Sequence, residues 1–276
     1  MIQLGLIGYP LEYSLSPKIH TAALKACGLK GDYSLFPIHP DDKQGLKDLL
    51  TRVHSGEITG LNVTIPHKRN VIEFMDELTP TAKAIGAVNT IYLRDGKLIG
   101  DNTDAPGFLS DLKQFIGNRE LGIGNLKSAL VLGAGGSARA IVYALLSNKW
   151  DVTVAARCIE QAQKLASQFE SVKAIEFNFQ TFQLSNLQLI VNTTPLGMTP
   201  NTAQSPLPEN TSFSPQIMIY DLVYNPRETK LVKNAHRQGL QATTGLGMLI
   251  EQAALAFELW TGHNPSRDVL WNATDT

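Results

Sequence analysis

The chain alternates short apolar runs with longer segments in which apolar residues recur at helical spacing. Most of the apolar runs end at glycine, proline or a small polar residue, as buried strands do. Strands that alternate with helices indicate βαβ units and a mostly parallel sheet. The pair Asp95-Gly96 predicts a hairpin at the edge of that sheet. For the first part of the chain we predict strands at 2–7, 33–38, 60–64, 87–93 and 97–100, and helices at 16–27, 40–54, 68–74, 80–85 and 104–116.

A second series of the same kind follows a polar, glycine-containing connection at 117–125. The stretch 199–215 contains four prolines and many small polar residues, so we predict a surface loop there. Two series of βαβ units predict an α/β fold of two domains with a cleft between them. The second series has predicted strands at 129–132, 151–155, 187–192 and 217–222, and helices at 137–146, 160–169, 229–238, 247–261 and 267–272.

The second series opens with a glycine-rich turn between a strand and a helix. Gly133 permits a tight turn, Gly135 lets the backbone approach a pyrophosphate, and Ala138 allows the helix to pack closely on the strand. The N–H groups and the positive dipole end of the helix attract phosphate. Glycine turns also close strand–helix junctions that bind nothing, but the clear strand and helix here favour a nucleotide. This candidate cofactor site consists of Gly133, Ala134, Gly135, Gly136, Ser137 and Ala138.

Composition narrows the class of protein. The 276 residues are 43% hydrophobic and 18% charged, as in a globular protein with a large core. The net charge of −1 lacks the basic excess of a nucleic-acid surface, and no apolar run reaches the roughly 18 residues of a membrane span. The N-terminus has no basic region before its first strand, and Cys27 and Cys158 lack metal-ligand spacing. We expect a cytoplasmic protein, monomeric or homodimeric, that binds neither nucleic acid nor membrane.

Polar side chains suited to catalysis follow several strands of the first series. Hydroxyls, amides, one lysine and one aspartate that meet at a sheet edge suit a small polyhydroxylated carboxylate. Lys68 and Asp104 make a candidate proton-transfer pair, in which the carboxylate orients the amine and keeps it charged. The candidate residues are Ser14, Ser16, Thr64, Lys68, Asn89, Asn102 and Asp104.

Each of these residues also has an ordinary structural interpretation. Ser16, which precedes a proline, suits a helix N-cap. Asn102 and Asp104 suit a turn and an N-cap, and this is the more frequent case for such residues taken alone. Lys68 suits a solvated lysine at the start of a helix. His67 beside it is a base by type, but a lone histidine is more often structural or exposed. Taken singly, these residues leave both interpretations open.

Eight sequence blocks together resemble the shikimate dehydrogenase family. They follow the family's order and spacing and cover nearly the whole chain. Tyr13 and Thr21 depart from the pattern, since the family commonly has histidine and asparagine there. The blocks are Gly-Tyr-Pro-Leu-Glu-Tyr-Ser-Leu-Ser-Pro-Lys-Ile-His at 8–20, Gly-Leu-Asn-Val-Thr-Ile-Pro-His-Lys at 60–68, Ile-Gly-Ala-Val-Asn-Thr at 85–90, Gly-Asp-Asn-Thr-Asp at 100–104, Val-Leu-Gly-Ala-Gly-Gly at 131–136, Asn-Thr-Thr-Pro-Leu-Gly-Met at 192–198, Asp-Leu-Val-Tyr-Asn-Pro at 221–226 and Gly-Leu-Gly-Met-Leu at 245–249.

The resemblance implies a reaction and a domain organisation. The reaction is the reversible, NADP-linked reduction of 3-dehydroshikimate to shikimate, in the shikimate pathway of aromatic amino-acid biosynthesis. A substrate-binding and catalytic domain at 1–105 is completed by 246–276, because the helix that carries Gln252 returns to it. Residues 106–245 form the Rossmann-type NADP-binding domain.

The resemblance also implies roles for residues at matching positions. Lys68 matches the catalytic lysine, which moves the proton at the reacting C3 oxygen, and Asp104 matches its partner. Ser14 and Ser16 match the pair that hydrogen-bonds the substrate carboxylate. The residues that match those around the substrate ring are Thr64, Asn89, Asp104, Tyr224 and Gln252. Those that match the nicotinamide side of the cofactor site are Thr193, Pro195, Met198, Val223, Gly245 and Met248.

The tip of the second strand in the nucleotide series bears on the choice of cofactor. NAD sites usually place Asp or Glu there to hold the ribose hydroxyls, whereas arginine accommodates the 2′-phosphate of NADP. The family pattern is Asn-Arg-Thr with a further basic residue, but this chain has Ala156, Arg157 and Cys158, followed by Glu160 and Gln161. We therefore expect NADP, with selectivity that rests largely on Arg157. The alternative for this arginine is a solvated loop charge.

Two other functions are compatible with the sequence. One is a quinate/shikimate dehydrogenase that prefers NAD; the pair Ser14 and Ser16 and the lack of an acid at the strand tip favour shikimate and NADP. The other is a non-catalytic regulator that binds a nucleotide or metabolite. The pair Lys68 and Asp104 argues against it, because a sensor needs no proton shuttle.

Overall fold

The computed structural model describes residues 1–117, 127–177 and 187–275. The chain divides into two compact units, one of Met1–Gly107 with Ile250–Thr276 and one of Phe108–Leu249. The domain bounds predicted from the sequence lie a few residues earlier at each crossing. Beyond Gly117, the predicted polar connection at 117–125 lies outside the described residues.

The first unit is built around one six-stranded sheet. Its elements are β1 (Ile2–Gly8), α1 (Ser16–Ala26), β2 (Gly31–Pro37), α2 (Lys43–His54), β3 (Gly60–Val63), a 3-10 helix (Asn70–Phe74), β4 (Glu77–Leu78), α3 (Pro80–Ile85), β5 (Thr90–Arg94), β6 (Lys97–Asp101) and the start of α4 (Asp104–Ile116). The strand order is β2-β1-β3-β5-β6-β4. Strands β1, β2 and β3 are parallel, β5 runs antiparallel to β3 and β6, and β4 is parallel to β6.

Two predictions for this unit are wrong in detail. The helix predicted at 68–74 is a 3-10 helix that begins at Asn70, because residues 65–69 form a turn. The hairpin at Asp95-Gly96 is present, with φ values of 53° and 74° that suit a type I′ turn. It does not lie at the sheet edge, because β4 pairs with the outer side of β6. A strand of two residues has no periodicity, so no pattern along the chain indicated it.

The strand directions gather four polar segments at one edge of this sheet. The parallel strands β1 and β3 both end there, so the segments that follow them are neighbours. Strand β5 runs the other way and therefore begins at that edge, and β6, which reverses again, ends there. The candidate residues of the first unit other than Gln252 lie in these segments, at 14–16, 64–68, 89 and 102–104.

Helix α2 packs on the first sheet and contributes to the hydrophobic core of the first unit. Its apolar residues recur at helical spacing and are all buried, as an amphipathic helix against a sheet requires. They pack with residues of β1, β3 and β5 in one cluster: Leu46, Leu49, Leu50 and Val53 from the helix, and Ile7, Leu61, Val63 and Ile91 from the strands.

The second unit contains a fully parallel sheet. Its elements are β7 (Lys127–Leu132), α5 (Gly136–Ser147), β8 (Trp150–Ala156), α6 (Ile159–Ala166), β9 (Lys173–Glu176), β10 (Leu189–Asn192), β11 (Met218–Asp221), α7 (Lys230–Arg237) and β12 (Ala242–Thr244). The strand order β12-β11-β10-β7-β8-β9 is that of a Rossmann fold. The chain adds strands outward from β7 to β9, returns to the middle of the sheet at β10, and adds strands outward on the other side to β12. Such sheets bind ligands at the carboxyl ends of the strands beside this switch point.

Two helices complete the chain. Helix α8 (Leu246–Thr261) contributes residues to both units, as α4 does, and α9 (Arg267–Asn272) belongs to the first. The segment predicted as a surface loop at 199–215 contains no helix or strand, but it is anchored by Leu207, which lies in the core with Ile217 and Ile219. Among the described residues, no helix combines the length and apolar character needed to cross a membrane.

Candidate active site

A buried ion pair lies at the polar edge of the first sheet. The Nζ atom of Lys68 donates to Oδ2 of Asp104 over 2.6 Å, and the two side chains are 10% and 5% exposed. Burial of two charges is unfavourable unless each is paired and hydrogen-bonded. The second carboxylate oxygen of Asp104 accepts from Nδ2 of Asn89 over 2.9 Å. The carboxylate is therefore bonded at both oxygens and fixes the position of the ammonium group.

The backbone around Lys68 is held independently of its side chain. Strand β3 ends before Pro66, which has no N–H for the ladder. The turn that follows is closed by a bond from the His67 N–H to the Thr64 carbonyl. The Lys68 carbonyl accepts from the Val88 N–H over 2.7 Å, which ties the turn to the segment before β5. These bonds place the lysine beside the residues that precede β5.

Asn102 has the structural role expected of it, and Asp104 does not. The Oδ1 atom of Asn102 accepts from the backbone N–H groups of Asp104 and Ala105 at 3.1 and 3.3 Å, so it caps the start of α4. Its amide nitrogen donates to the Ala87 carbonyl over 2.9 Å. The carboxylate of Asp104, the first residue of α4, turns instead to Lys68. The cap thus orients the residue that carries the ion pair.

Asn89 connects the ion pair to two further elements. Its Oδ1 atom accepts from the Thr103 N–H over 2.7 Å, and its Nδ2 atom donates to the Thr103 hydroxyl over 3.0 Å. Nδ2 also lies 3.5 Å from Oε1 of Gln252 on α8. A Cβ atom on Gly107 would lie 2.8 Å from the Gln252 backbone nitrogen, so only glycine allows this approach of α4 to α8. The sequence did not single out Thr103 or Gly107. Thr103 positions Asn89 and Gly107 allows the approach of Gln252, and both contacts depend on the folded structure.

The serine segment differs from its prediction. Ser16 is the first residue of α1 rather than its N-cap; that position belongs to Leu15, in a helical conformation, and no side chain caps the helix there. Ser14 accepts from the Ser16 N–H over 3.3 Å, so its hydroxyl closes a short turn. Ser16 is buried, while Ser14 and Thr64 are half-buried. The Ser16 hydroxyl is therefore not explained by capping.

Two buried histidines are structural. The Nε2 atom of His67 lies 2.7 Å from the Ile38 carbonyl, which only accepts, so the proton is on Nε2. Its ring is thus bonded to the residue that follows β2. His20, which the sequence did not single out, stacks on Tyr33 at 4.4 Å. Neither of its ring nitrogens meets the geometry of a hydrogen bond among the described residues. Burial lowers its pKa to about 3, an effect that the nearby Asn62 side chain partly offsets.

The glycine turn of the second unit has the features of a phosphate site. Gly133 has a φ of 107°, and a Cβ atom there would lie 2.6 Å from the Thr193 hydroxyl. Gly135 is the N-cap of α5 and offers no side chain to its N–H groups; a Cβ atom there would meet nothing within 4 Å. Ala138 is fully buried. The helix N-terminus is therefore open to an anion, while its next turn packs tightly.

The other cofactor candidates also lie at the carboxyl edge of the parallel sheet. Arg157 follows β8 and is exposed, and the Thr193 hydroxyl donates to the Leu132 carbonyl over 2.7 Å, which joins the ends of β10 and β7. Met198 is 42% exposed and Met248, on α8, is buried. The remaining members follow β10, β11 and β12: Pro195, Val223, Tyr224 and Gly245. The structure thus groups Tyr224 with the cofactor candidates of the second unit.

A buried carboxyl that the sequence did not single out supports this edge. Asp221, the last residue of β11, accepts from the Asn192 amide at 2.8 Å, the Thr229 hydroxyl at 2.7 Å and the Val223 N–H at 3.1 Å. Burial raises its pKa to about 6, and these hydrogen bonds limit the rise. Asp221 therefore ties the ends of β10 and β11 to the start of α7, next to Thr193 and Val223.

Comparison with known proteins identifies the family. The family model "Shikimate dehydrogenase substrate binding domain" matches residues 6–91, "Shikimate / quinate 5-dehydrogenase" matches 117–236, and "Shikimate 5'-dehydrogenase C-terminal domain" matches 245–273. A shikimate dehydrogenase (NADP(+)) of Carboxydothermus hydrogenoformans is 41% identical over 273 residues, 98% of this chain and 95% of that protein. The chain belongs to the shikimate dehydrogenase family. A family member from Desulforamulus reducens, of the same name, is 41% identical over 276 residues, 97% of this chain and 92% of that protein.

Solved structures of the family have the same fold. The shikimate 5-dehydrogenase of Thermus thermophilus, solved with NADP(H) and shikimate, is 36% identical and superposes with a TM-score of 0.86. The match covers 100% of this chain and 99% of that one. The predicted family and the predicted fold, an α/β substrate domain with a Rossmann-type domain, are therefore confirmed.

Proposed function

We propose that this chain is an NADP-dependent shikimate dehydrogenase, which reversibly reduces 3-dehydroshikimate to shikimate in the shikimate pathway. The observation that carries the proposal is the buried pair of Lys68 and Asp104 at the polar edge of the first sheet. Reduction of a ketone requires a proton donor for its oxygen, and a lysine held by a carboxylate meets that requirement. The names of the relatives, shikimate dehydrogenase (NADP(+)), support the substrate and the cofactor.

The second unit fits NADP at its glycine turn. The open N-terminus of α5 above Gly135 suits the pyrophosphate, and Arg157 at the tip of β8 offers a cation for the 2′-phosphate. When bound, this cofactor supplies the hydride. The residues proposed for the nicotinamide side are Thr193, Pro195, Met198, Val223, Gly245 and Met248.

The first unit supplies polar partners for the substrate. We assign Ser14 and Ser16 to its carboxylate, as neutral hydroxyl donors. We assign the ring and its hydroxyls to Thr64, Asn89, Asp104 and Gln252. Tyr224, which belongs to the second unit, is assigned to the ring on the resemblance to the family alone. Buried polar groups that pair with substrate hydroxyls would be left without partners by an analogue that lacks them, so they also provide selectivity.

Lys68 moves the proton. Its ammonium group donates a proton to the C3 oxygen as the carbonyl is reduced, and the resulting amine regains a proton from water. In the reverse direction the neutral amine accepts the hydroxyl proton and then releases it to water. Asp104 holds the lysine through the 2.6 Å bond, and Asn89 fixes the other oxygen of that carboxylate. Removal of the amine therefore removes the proton donor and leaves the cofactor residues of the second unit unchanged.

The test is a steady-state assay of NADPH oxidation with 3-dehydroshikimate. Lys68→Ala should lower turnover by about 10²- to 10⁴-fold, the usual contribution of a general acid, with unchanged affinity for NADP⁺. Lys25→Ala, at an exposed lysine of α1, is the matched control and should keep full activity. Wild-type turnover in Lys68→Ala would exclude the proton-transfer role. Binding of both ligands by the wild type without turnover would favour a regulator, and faster reaction of quinate with NAD would favour the quinate enzyme.

We place this enzyme in the cytoplasm. Cys27 and Cys158 are both free thiols, as is usual for proteins kept in a reducing compartment. Fractionation of cells with an antibody to the protein would test the location, and recovery outside the cytoplasm would contradict it.

A further inference from the structure

The tip of β8 carries a cation, and an anion follows it in the first turn of α6. Arg157 is the first residue after β8, and Glu160 lies in the first turn of α6; both are exposed. Strand β8 pairs with β7, and the Gly133 N–H donates to the Ala155 carbonyl over 2.8 Å, so this tip borders the glycine turn. In sheets of this order, the tip of the second strand contacts the 2′ position of the adenosine ribose.

The carboxylate of Glu160 is folded back toward this tip. Its Oε2 atom accepts from Sγ of Cys158 over 3.0 Å, and Cys158 is the N-cap residue of α6. That bond, and a second from its own backbone N–H, lower the pKa of Glu160, so the side chain is ionised at neutral pH. A negative charge therefore lies at the N-terminal end of α6, against the residue next to Arg157.

We propose that Glu160 reduces the selectivity of this chain for NADP over NAD, by weakening the binding of a 2′-phosphate and offering an acceptor to the free ribose hydroxyls of NAD. The inference rests on the proposed function. A 2′-phosphate carries nearly two negative charges, so Arg157 attracts it and Glu160 repels it. NAD sites hold the ribose hydroxyls with a carboxylate at the strand tip, and Glu160 offers a carboxylate a few residues beyond that tip. The two residues act in opposite directions, and the preference for NADP is smaller than Arg157 alone would give.

Glu160 has an ordinary role as well, since an acidic residue in the first turn stabilises a helix through the dipole. A purely structural role predicts that its loss weakens both cofactors equally, or neither. An electrostatic role at the 2′ position predicts a change for NADP⁺ that NAD⁺ does not share and that salt screens. The comparison of the two cofactors therefore separates the roles.

The test is fluorescence titration of the full chain with NADP⁺ and NAD⁺, without substrate. Glu160→Gln, which keeps the shape and an acceptor oxygen, should lower the Kd for NADP⁺ by about threefold to tenfold, a range built on the weak coupling of exposed charges to a doubly charged group. The Kd for NAD⁺ should rise or stay within about twofold. Raising the salt to about 0.5 M should remove most of the gain for NADP⁺. Glu170→Gln, at an exposed acid beyond the far end of α6, is the control and should change neither Kd.

Equal Kd values for NADP⁺ in the wild type and Glu160→Gln would overturn the inference, as would a gain shared by NAD⁺ or one insensitive to salt. Failure of the wild-type protein to bind either cofactor would overturn the inference too. Shikimate turnover, measured separately, tests the proposed function. Cofactor binding with the predicted selectivity change but no turnover would leave this inference standing and reject the reaction.

Discussion

His20 should make the first unit sensitive to acid. Its ring is fully buried against Tyr33, and burial lowers its pKa from 6.5 to about 3. The unfolded chain takes up this proton near pH 6.5, while the folded protein resists it until about pH 3. The unfolded state therefore binds more protons between these values. The stability that depends on His20 is complete above pH 6.5 and is lost as the pH falls toward 3.

Asp221, in the second unit, should have the opposite effect on how stability depends on pH. Burial raises its pKa from 3.8 to about 6, so between these values the folded state holds a proton that the unfolded state releases. The stability that it contributes is present below pH 3.8 and is lost as the pH rises through 6. Between pH 7 and pH 5, proton linkage gives a loss of about 2 kcal/mol from His20 and a gain of about 1 kcal/mol from Asp221.

Two variants separate these contributions. His20→Phe keeps an aromatic ring beside Tyr33 and removes the titration, so its free energy of unfolding relative to wild type should rise by about 2 kcal/mol from pH 7 to pH 5. The free energy of unfolding of Asp221→Asn, relative to wild type, should fall by about 1 kcal/mol over the same pH range. Urea denaturation followed by circular dichroism at pH 5, 6 and 7 measures both. His263→Phe, at an exposed histidine, should follow the wild type at each pH.

A constant difference between His20→Phe and wild type from pH 7 to pH 5 would refute this reasoning. It would mean that the folded protein protonates His20 as readily as the unfolded chain does. The burial of an imidazole with no hydrogen-bond partner among the described residues would then not determine its charge.

Three further predictions concern the two candidate sites. Asp104→Asn leaves Lys68 buried without its ion-pair partner, so the free energy of unfolding, measured by thermal unfolding, should fall by about 3–5 kcal/mol. Turnover in the NADPH assay should fall by about a hundredfold or more, and normal turnover would show that the carboxylate is dispensable. Gly107→Ala places a Cβ atom 2.8 Å from the Gln252 backbone nitrogen, so it should raise the KM for shikimate and leave the Kd for NADP⁺ unchanged. An unchanged KM would show that α8 can shift to accept the methyl group without displacing Gln252. Alkylation of the exposed Cys158, followed by mass spectrometry, should be slowed by NADP⁺, and equal rates would place the 2′-phosphate elsewhere.

Long elements could be predicted from the sequence because burial of one face sets their period. Helix α4, of 13 residues, has the bounds expected for it, 104–116. Short strands could not be predicted in this way. Strand β4 has two residues, and β12 consists of Ala-Thr-Thr, with no alternation to detect. They are strands because β6 and β11 offer backbone partners, which is tertiary information.

The candidate site was partly predictable for a similar reason. Chemistry suggested Lys68 with Asp104, and the resemblance to a family supported the pair, but their 2.6 Å contact depends on the pairing of β3, β5 and β6. Taken singly, the adjacent His67 and Lys68 were both candidates by residue type, and the resemblance to the family favoured Lys68. The structure separates them, because His67 is bonded to the Ile38 carbonyl. Asp221 had no distinguishing pattern, since its partners come from three different elements.

The hairpin turn at Asp95-Gly96 has a consequence for how the sequence of this enzyme can change. It lies at the opposite end of β5 and β6 from the ion pair, yet it determines that Thr90 pairs with Asp101. One inserted residue would shift β6 against β5 and turn each of its side chains to the other face. Asp104 would then move away from Asn89. Substitutions in the turn should therefore be tolerated wherever a positive φ is accepted, whereas insertions and deletions there should be as harmful as mutations of Lys68 and Asp104.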